Sequence, residues 1–382
     1  MLQQKKKKAK KVMEVVNTLH MNIGDGESSY ATNSLLQEIV IRQAFPVLQH
    51  AIIDIMNHDL FFDHCFKIAD LGCSSSKNTL LVVSNIIDTV IEVCEETNRK
   101  PSQFQVCLND LFGNDFNTLF KSLPDFYAKL EKKKGENSGS CFVSAIPGSF
   151  YGRLFPNQSL HIIHSSYSIH WLSQVPEGLK NNLLNIYMAK SSPPNVFQEY
   201  GKQFKSDFMK FLQLRSEEIV CGGHMVLTLV GRSVADPTSN DGCCLLQLHA
   251  QSLLDMVKEG LVQESDINSF NVPLYHPCED EVRNIIHTEG SFSLESLTTF
   301  QVNWDPQDKD YKNLKDPNET ISRTHGENTA KVVRAFTEPL LTSHFGKSII
   351  DGVFKKYEKH VAQHLTNNKT KFFSIVISLA KR

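Results

Sequence analysis

Two aspartates end strand-like segments in the N-terminal third of the sequence, and both stand where a parallel sheet would bind a ligand. Asp70 ends the segment FKIADLG (66–72), which turns at Gly72 into a helical pattern, and Asp110 ends the segment FQVCLND (104–110). A turn from strand to helix brings backbone N–H groups and a helix N-terminus to the carboxyl edge of a sheet. The two carboxylates can hold hydroxyl or amine groups of a ligand there, although Asp70 can also serve only as a turn residue beside a helix.

The ligand that these aspartates fit has no pyrophosphate. The sequence contains neither GxGxxG nor GxxxxGK[ST], the glycine-rich motifs that hold the phosphates of dinucleotides and nucleoside triphosphates. The two aspartates are 40 positions apart, whereas a dinucleotide-binding fold places its ribose-binding acid about 20 residues after the glycine motif. A carboxylate at the tip of the second strand can still hold a ribose diol. These features favour an adenosine-type cofactor such as S-adenosylmethionine.

A second group of polar and aromatic residues follows two later strand-like segments. The stretches PGSFYGRLFP (147–156) and HSSYSIHWLSQVP (164–176) can line a flat apolar pocket, with His170 and Gln37 as hydrogen-bonding groups, or they can belong to the core. The histidines of this region do not have zinc-ligand spacing, and the sequence contains no GxSxG motif. Metal catalysis and covalent hydrolase chemistry are therefore disfavoured.

The elements that must position these residues alternate between strand and helix. This alternation predicts an α/β fold with a doubly wound, mostly parallel sheet covered on both faces. The predicted strands lie at 66–72, 104–110, 141–147, 159–166, 222–231 and 372–380, and the predicted helices include 80–96 and 196–218. Polar breakers predict exposed loops at 233–242 and 305–328. We expect residues 17–240 and 366–382 to form the cofactor-binding domain, 241–365 a mostly helical cap, and 1–16 a basic disordered tail.

Composition and charge exclude several classes of protein. With 382 residues, of which 41% are hydrophobic and 21% charged, the chain is long enough to bury a large core and is neither fibrous nor wholly disordered. Nine cysteines without a CxxC pair argue against a disulfide framework and a four-cysteine zinc site. Residues 5–11 contain six lysines, which leaves a net charge of −8 on the rest of the chain and argues against nucleic-acid binding.

The sequence also predicts a cytoplasmic protein that does not bind membranes. Its longest apolar stretch, around 372–380, is about half of the roughly 20 residues that a membrane-spanning helix needs. The lysine-rich start has no apolar core of a signal peptide after it.

Several segments in the same order resemble one family. The chain resembles the plant SABATH family of S-adenosylmethionine-dependent methyltransferases, which act on salicylate, benzoate, jasmonate and related small molecules. The segments are LHMNIGDGESSYATNSLLQ (19–37), IADLGCSSSKNT, LNDLFGNDFNTLF, PGSFYGRLFP, SSYSIHWLSQVP, NIYMA, SFNVP and EPLLTSHFG (338–346). The resemblance implies the Rossmann-like fold of class I methyltransferases and a homodimer.

The resemblance also implies a set of site residues. The cofactor site would use Tyr30, Asp70, Cys73, Asn78, Asp110, Leu111, Ser149 and Phe150. The acceptor site would use Gln37, Tyr167, His170 and Trp171, with Gln37 and Trp171 holding the acceptor carboxylate. A magnesium ion near the cap would fall on Asn182, Asn268, Phe270 and Asn271.

The implied reaction is methylation of the carboxylate of a small acid, in which no residue serves as catalytic acid or base. A carboxylic acid is already ionised at neutral pH, so positioning would supply the catalysis. His170 stands where salicylate-preferring relatives often have Met, which favours benzoate, jasmonate or a broader range. Two alternatives stay open: N-methylation of a xanthine-type alkaloid, and a binding protein whose cofactor site is impaired. Ser76 and Lys77, which replace the usual Gly and Pro of the first turn, raise the second alternative.

Overall fold

The centre of the fold is one sheet, seen in a computed structural model that describes residues 15–57, 65–101, 103–134, 140–179, 182–308 and 319–382. Its strands are β1 (Cys65–Leu71), β2 (Gln103–Asp110), β3 (Cys141–Pro147), β4 (Leu160–Ser166), β5 (Ile219–Gly231), β6 (Phe292–Asn303) and β7 (Lys371–Lys381). Within the described residues the strand order is β3-β2-β1-β4-β5-β7-β6. The mixed α/β fold predicted from the alternation of elements is therefore confirmed.

The sheet is parallel from β3 to β5, and its strand order reverses between β1 and β4. β7 runs antiparallel to both β5 and β6. Residues 68–71 of β1 are all buried, as expected for a parallel strand with both faces covered. In sheets of this type, ligands bind outside the carboxyl ends of the strands at the point of reversal. Asp70 and His164 pair there across β1 and β4.

Helices cover both faces of the sheet. They are α1 (Leu35–Asn57), α2 (Asn78–Glu96), α3 (Phe116–Lys121), α4 (Leu123–Lys134), α5 (Pro194–Glu218), α6 (Asn240–Lys258), α7 (Glu264–Ser269), α8 (Glu279–Glu289), α9 (Glu319–Phe345) and α10 (Ile350–Asn367). α1 packs against α2 and β5, and α10 packs against α6 and α9. The buried apolar residues of α1 and α2 form one core with β1 and β2, and those of α5, α6 and α10 form a second core with β5 and β7.

The sequence pattern does not predict one strand of the sheet, β6. β6 lies inside the segment 241–365, which was predicted to be mostly helical, and it pairs along its length with β7. The reason is that β6 (FSLESLTTFQVN) is an edge strand, rich in Ser and Thr, with no continuous apolar run. α6 to α10 are helical as expected. The assignment of 241–365 to a cap stays a prediction, but the segment also contributes one strand, β6, to the central sheet.

The two predicted loops are shorter in the structure than the sequence predicts. α6 begins at Asn240, inside the loop predicted at 233–242, and α9 begins at Glu319, inside the loop predicted at 305–328. Residues 309–318 of that loop and residues 1–14 of the predicted tail lie outside the described residues. Val15 and Val16 belong to a helical turn over residues 15–18 that lies against the ligand-binding edge of the sheet.

α1 is long and apolar enough to span a membrane by its length and composition. Sequence reasoning did not single it out because its apolar residues are interrupted by Gln, Glu and Arg. In the structure ten of its 23 residues are buried against α2 and the sheet. The apolar face of α1 is therefore part of the core of this fold.

Candidate active site

A cavity of about 690 Å³, including the solvent at its mouth, opens at the carboxyl ends of β1, β2, β3 and β4. Five residues of the predicted cofactor site line it, namely Tyr30, Asp110, Leu111, Ser149 and Phe150. The residues that sequence reasoning missed come mostly from the N-terminal segment and from the loops after β1 and β4. They include Val15, Val16, Leu19, His20, Met21, Gly72, Ser74, Ser166, Ser168 and Leu172.

The turn after β1 is shaped by its own backbone. Gly72 has a φ of +77°, and a Cβ atom there would overlap the side chain of Ser168. The next turn residue in the left-handed region is Ser74, with a φ of +54°. The N–H groups of Gly72 and Cys73 donate to the carbonyl of Asn109 at 2.8 and 3.0 Å. The turn is thereby tied to the end of β2, beside Asp110.

Asn109 connects three loops although its sequence context gave no reason to select it. Its side chain is fully buried, and its Nδ2 donates to the carbonyls of Ile146 and Gly148 at 2.7 and 2.9 Å. Its carbonyl accepts the two N–H groups of the β1 turn. One residue therefore fixes the ends of β1, β2 and β3 relative to one another.

Asp110 presents a carboxylate to the cavity. Its Oδ2 accepts from the N–H of Ser74 at 2.7 Å and its Oδ1 from the N–H of Leu111 at 2.7 Å. Burial raises the pKa of Asp110 to about 6, although these two N–H groups oppose the shift. Each carboxylate oxygen has a further acceptor position, so the group can also accept from two ligand hydroxyls.

The loop that follows β3 forms another wall of the cavity and is held by two buried charges on α5. Arg215 donates to the carbonyls of Phe150 and Gly152 at 2.9 and 2.8 Å and pairs with Glu218. Glu218 in turn accepts from the N–H of Leu154 at 2.8 Å. Both charged side chains have no exposed surface. Because a buried charge is costly unless it is paired, this network fixes the loop firmly.

A second cavity of about 540 Å³, also including solvent at its mouth, adjoins the first. Met21, Tyr30, Tyr167 and Trp171 line both cavities, so the two are neighbouring compartments of one site. All four predicted acceptor residues, Gln37, Tyr167, His170 and Trp171, line the second cavity. Its other walls, which sequence reasoning could not place, are Leu36, Val230, Leu245, Leu246, Leu274, His276, Phe336 and Phe372.

The polar groups of the second cavity include hydrogen-bonding groups that the protein itself does not use. The buried Oε1 of Gln37 has no partner within the described residues. The indole N–H of Trp171, a residue that is 7% exposed, likewise has no acceptor in the described part of the chain. By contrast, the hydroxyl of Tyr167 is 2.7 Å from the Oγ of Ser374. Gln37 and Trp171 are thus available to a ligand.

His170 is a neutral donor in this cavity. Its Nδ1 accepts from the N–H of Val230 at 3.3 Å, so the ring proton is on Nε2. Burial lowers the pKa of His170 well below its usual value. His170 therefore offers an N–H without a positive charge.

Three residues of the predicted cofactor site do not line the cavity. The two carboxylate oxygens of Asp70 are bonded to His164 Nδ1, at 2.8 Å, and to the hydroxyl of Thr79. The Nδ2 of Asn78 donates to the carbonyl of Ser34 at 2.9 Å. Cys73 is buried, and burial raises the pKa of its thiol well above the usual value. Asp70, Cys73 and Asn78 support the turn, and their direct contact with a cofactor stays a prediction.

The predicted magnesium residues are close together but do not fit the ion as they stand. The Oδ1 of Asn182 accepts from Ser192 at 2.7 Å, the Oδ1 of Asn271 accepts from Asn182 at 3.2 Å, and the Oδ1 of Asn268 accepts from the N–H of Leu184 at 3.1 Å. Phe270 can offer only a main-chain carbonyl. The four residues supply no carboxylate, which Mg²⁺ sites in proteins usually include. Within the described residues no group of three or more His, Cys, Asp or Glu side chains could hold a metal ion.

The residues of the first cavity fit S-adenosylmethionine. Asp110 can accept from both ribose hydroxyls, and Leu111 and Phe150 provide apolar surface for a purine ring. Open α/β sheets bind nucleoside ligands at the carboxyl edge where the strand order reverses, and the cavity lies at this point. The fold and the two joined cavities define an S-adenosylmethionine-dependent methyltransferase.

Comparison with known proteins identifies the family. Residues 16–382 match the family described as "SAM dependent carboxyl methyltransferase", and the chain belongs to it. A benzoic acid/salicylic acid carboxyl methyltransferase of Petunia hybrida is 47% identical, covering 97% of this chain and 99% of that protein. A probable jasmonic acid carboxyl methyltransferase of Theobroma cacao is 43% identical, covering 97% of this chain and all of that protein. The SABATH resemblance is therefore confirmed.

A solved structure supports the fold and the cofactor. A loganic acid methyltransferase with S-adenosylhomocysteine (SAH) is 31% identical, has a TM-score of 0.80, and covers 95% of this chain and 98% of that chain. The protein is an S-adenosylmethionine-dependent carboxyl methyltransferase, as the sequence resemblance implied.

The unusual residues Ser76 and Lys77 are accommodated in the first turn, so restoring Gly and Pro should change little. Ser76 is not in the left-handed region, and its Oγ accepts from the N–H of Asn78 at 3.3 Å. Lys77 has a φ of −60°, which is the value that proline imposes. In the Ser76→Gly/Lys77→Pro double variant, we expect loss of the hydrogen bond to lower the free energy of unfolding by about 1 kcal/mol. Proline should raise it by about as much, because it restricts the unfolded chain.

The measurement for this variant is the KM for S-adenosylmethionine together with the free energy of unfolding. We expect the KM to change by less than threefold and the free energy of unfolding by about 1 kcal/mol or less. A tenfold gain in cofactor affinity would contradict this account and would show that the turn is impaired.

Proposed function

We propose that this enzyme transfers a methyl group to the carboxylate of a small plant acid of the benzoate, salicylate or jasmonate type and releases the methyl ester. The observation that supports the proposal is the apolar second cavity, which adjoins the cofactor cavity and is lined by Gln37 and by Trp171, whose indole N–H has no acceptor within the described residues. The names of the Petunia and Theobroma relatives support this class of acceptor.

The chain's own residues would act by positioning the acceptor. When bound, S-adenosylmethionine supplies an electrophilic methyl group. The indole N–H of Trp171 and the Nε2–H of Gln37 would donate to the carboxylate of the acid at the boundary between the two cavities, whereas the Oε1 of Gln37 can only accept and would not bind it. Fixing a nucleophile in this way can supply several kcal/mol of the barrier, because its freedom of motion is lost in binding and not in the reaction.

The two histidines that line the second cavity are poor general bases, and the reaction does not need one. A carboxylic acid with a pKa of about 4 is ionised at neutral pH. Burial lowers the pKa of His170 well below its usual value and that of His276 to about 4, so both rings are weak bases. The apolar walls exclude water from the carboxylate, which removes part of its hydration before the reaction.

The proposal is tested by methyl transfer from labelled S-adenosylmethionine to a panel of benzoate, salicylate, jasmonate, indole-3-acetate and xanthines. We expect turnover with at least one acid and none with xanthines. Turnover of xanthines alone would favour N-methylation and overturn the proposal. A protein that turns over no substrate and gains no thermal stability with SAH would be a cofactor-impaired homologue.

We also propose that the protein is a cytoplasmic homodimer. The cysteine pattern, without any CxxC pair, supports a reducing compartment, and the homodimer is the expectation that the resemblance to the SABATH family implies. Sedimentation equilibrium should give twice the 43.2 kDa of one chain, and a monomer at micromolar concentration would contradict the dimer.

A further inference from the structure

His276 is a polar group of the second cavity that carboxylate binding does not use. It lies between Pro273 and Pro277 in the segment that connects α7 and α8, and it is 6% exposed. Its backbone N–H donates to the hydroxyl of Tyr187 at 3.2 Å, which fixes the main chain at this point. Its imidazole ring lines the cavity together with Leu245, Leu274 and Phe336.

The hydrogen bonds of His276 determine which ring nitrogen has the proton. Its Nδ1 is 2.9 Å from the carbonyl of Gly242, which can only accept, so Nδ1 donates. Burial lowers the pKa of His276 to about 4, so the ring is neutral and Nε2 has a free lone pair. Nε2 has no donor among the residues that the structure describes. The ring therefore presents an acceptor to the cavity.

His276 and His170 are opposite in character although both are neutral. His170 presents the N–H of its Nε2, whereas His276 presents the lone pair of its Nε2. The ring centroids of His170 and Trp171 are 6.0 Å apart, and those of His170 and His276 are 6.3 Å apart. The donors of Trp171 and His170 suit a carboxylate, whereas a lone pair beside a carboxylate would repel it. His276 therefore suits a different part of the acceptor.

We propose that His276 determines substrate specificity by accepting a hydrogen bond from an O–H or N–H group on the apolar body of the acid, away from its carboxylate. The inference rests on the proposed function, since it assigns a role within the same acceptor cavity. An acid without such a donor leaves the buried lone pair of His276 unpaired, which makes binding of that acid less favourable. The hydroxyl of salicylate is adjacent to its carboxylate and can bond to it internally, so a hydroxyl further along the ring should benefit more.

The experiment compares donor-bearing acids with isosteres that lack the donor. The pairs are 3-hydroxybenzoate with 3-methylbenzoate, 4-hydroxybenzoate with 4-methylbenzoate, and indole-3-acetate with 1-methylindole-3-acetate. For at least one pair, we expect the wild type to favour the donor-bearing acid about 10-fold or more in kcat/KM. The two hydroxybenzoate pairs and the indole pair together show whether an O–H or an N–H is bound.

Two variants separate the role of Nε2 from the role of the ring in folding. His276→Asn can keep the hydrogen bond to Gly242 but removes the acceptor at Nε2, whereas His276→Gln can place an amide oxygen near the Nε2 position. We expect the preference to fall to about 1 in the Asn variant and to survive partly in the Gln variant. Because His276→Asn removes the lone pair that disfavours the methyl isosteres, their kcat/KM should not fall in this variant while that of the donor-bearing acids does. A purely structural role would lower the kcat/KM of both kinds of acid alike.

The outcomes are distinct. A wild-type preference of about 1 in every pair, or a preference that survives in His276→Asn, overturns the role of His276 while leaving carboxyl methylation intact. If the wild type methylates none of these acids, nor any other acid of the panel, the proposed function itself fails and the inference fails with it.

Discussion

Replacing Asp110 with Asn should raise the KM for S-adenosylmethionine about 100-fold. The carboxylate of Asp110 lines the first cavity, and its oxygens are held in place by the N–H groups of Ser74 and Leu111 at 2.7 Å. Two hydrogen bonds from ribose hydroxyls to a charged acceptor are worth about 3 kcal/mol together, or about two factors of ten in affinity. In Asn one oxygen becomes an NH₂ group, which would face a backbone N–H and rotate the side chain.

Calorimetric titration with S-adenosylmethionine measures the change in affinity, and steady-state kinetics measure the change in KM. The matched control is Asp125→Asn, the same substitution at an exposed position in the first turn of α4. The control should leave the KM for the cofactor unchanged. An Asp110→Asn variant that binds S-adenosylmethionine within threefold of the wild type would exclude Asp110 as the ribose ligand.

The pH dependence of the same binding gives an independent check. Burial raises the pKa of Asp110 to about 6, so in the free enzyme the carboxylate becomes protonated as the pH falls below that value. The kcat/KM for S-adenosylmethionine reports groups of the free enzyme and should therefore fall up to about tenfold per pH unit below pH 6. The Asp110→Asn variant should lose this slope. A slope that persists in the variant would assign it to a group other than Asp110.

Ionisation of Asp110 favours cofactor binding but lowers the stability of the folded protein. Since the folded pKa of Asp110 lies above its ordinary value of 3.8, the ionised carboxylate destabilises the folded protein at neutral pH. This cost is fully present above about pH 6 and disappears as the pH falls towards 3.8. Asp110 therefore lowers the stability of the apo-enzyme at the pH at which it best binds the cofactor. Such a conflict is typical of functional residues.

The parts of the site that could be predicted are those encoded in a short stretch of sequence. Asp110 ends an apolar strand and is followed by a turn, so its place at the sheet edge follows from local pattern alone. The aromatic group from Tyr167 to Trp171 follows β4 in the same way. The sheet was predicted for the same reason, because its parallel strands are buried runs bounded by turn residues.

The parts that could not be predicted depend on contacts between distant segments. His276 becomes part of the cavity only because the segment after α7 pairs with the chain at Trp171, through a bridge between Trp171 and Leu274. Asn109 differs from an ordinary strand residue only in the loops that its amide reaches. β6 is an edge strand whose polar alternation resembles that of a surface loop. None of these features has a local sequence signal.

Asp70 shows that a correct local placement does not by itself establish a role. The sequence places it correctly at the end of β1, where a ligand-binding carboxylate is expected. In the structure, however, both of its oxygens are occupied, by His164 from β4 and by Thr79 from α2. A neighbouring strand and helix, which no local pattern reveals, make Asp70 a support of the turn. Its direct contact with the cofactor consequently stays a prediction.

Replacing Trp171 with Phe should lower the kcat/KM for the acid about 50-fold while leaving the KM for S-adenosylmethionine within threefold. The variant keeps an aromatic ring against Phe336 but removes the indole N–H, which has no acceptor of its own within the described residues. A hydrogen bond to a charged group contributes about 1.5–3 kcal/mol, which corresponds to roughly 10- to 150-fold. Because this bond also orients the nucleophile, we expect the loss to include a lower kcat.

The chain's other tryptophan provides the control. Trp304 is 2% exposed and stacks on His364 with a centroid distance of 5.2 Å, and it lines neither of the two cavities. Trp304→Phe should cost a comparable free energy of unfolding, in the range of about 0.5–3 kcal/mol, yet leave both kinetic constants unchanged. If both variants lose activity in proportion to their loss of stability, Trp171 acts only through packing. If only Trp171→Phe loses kcat/KM for the acid, its N–H holds the carboxylate in the reaction.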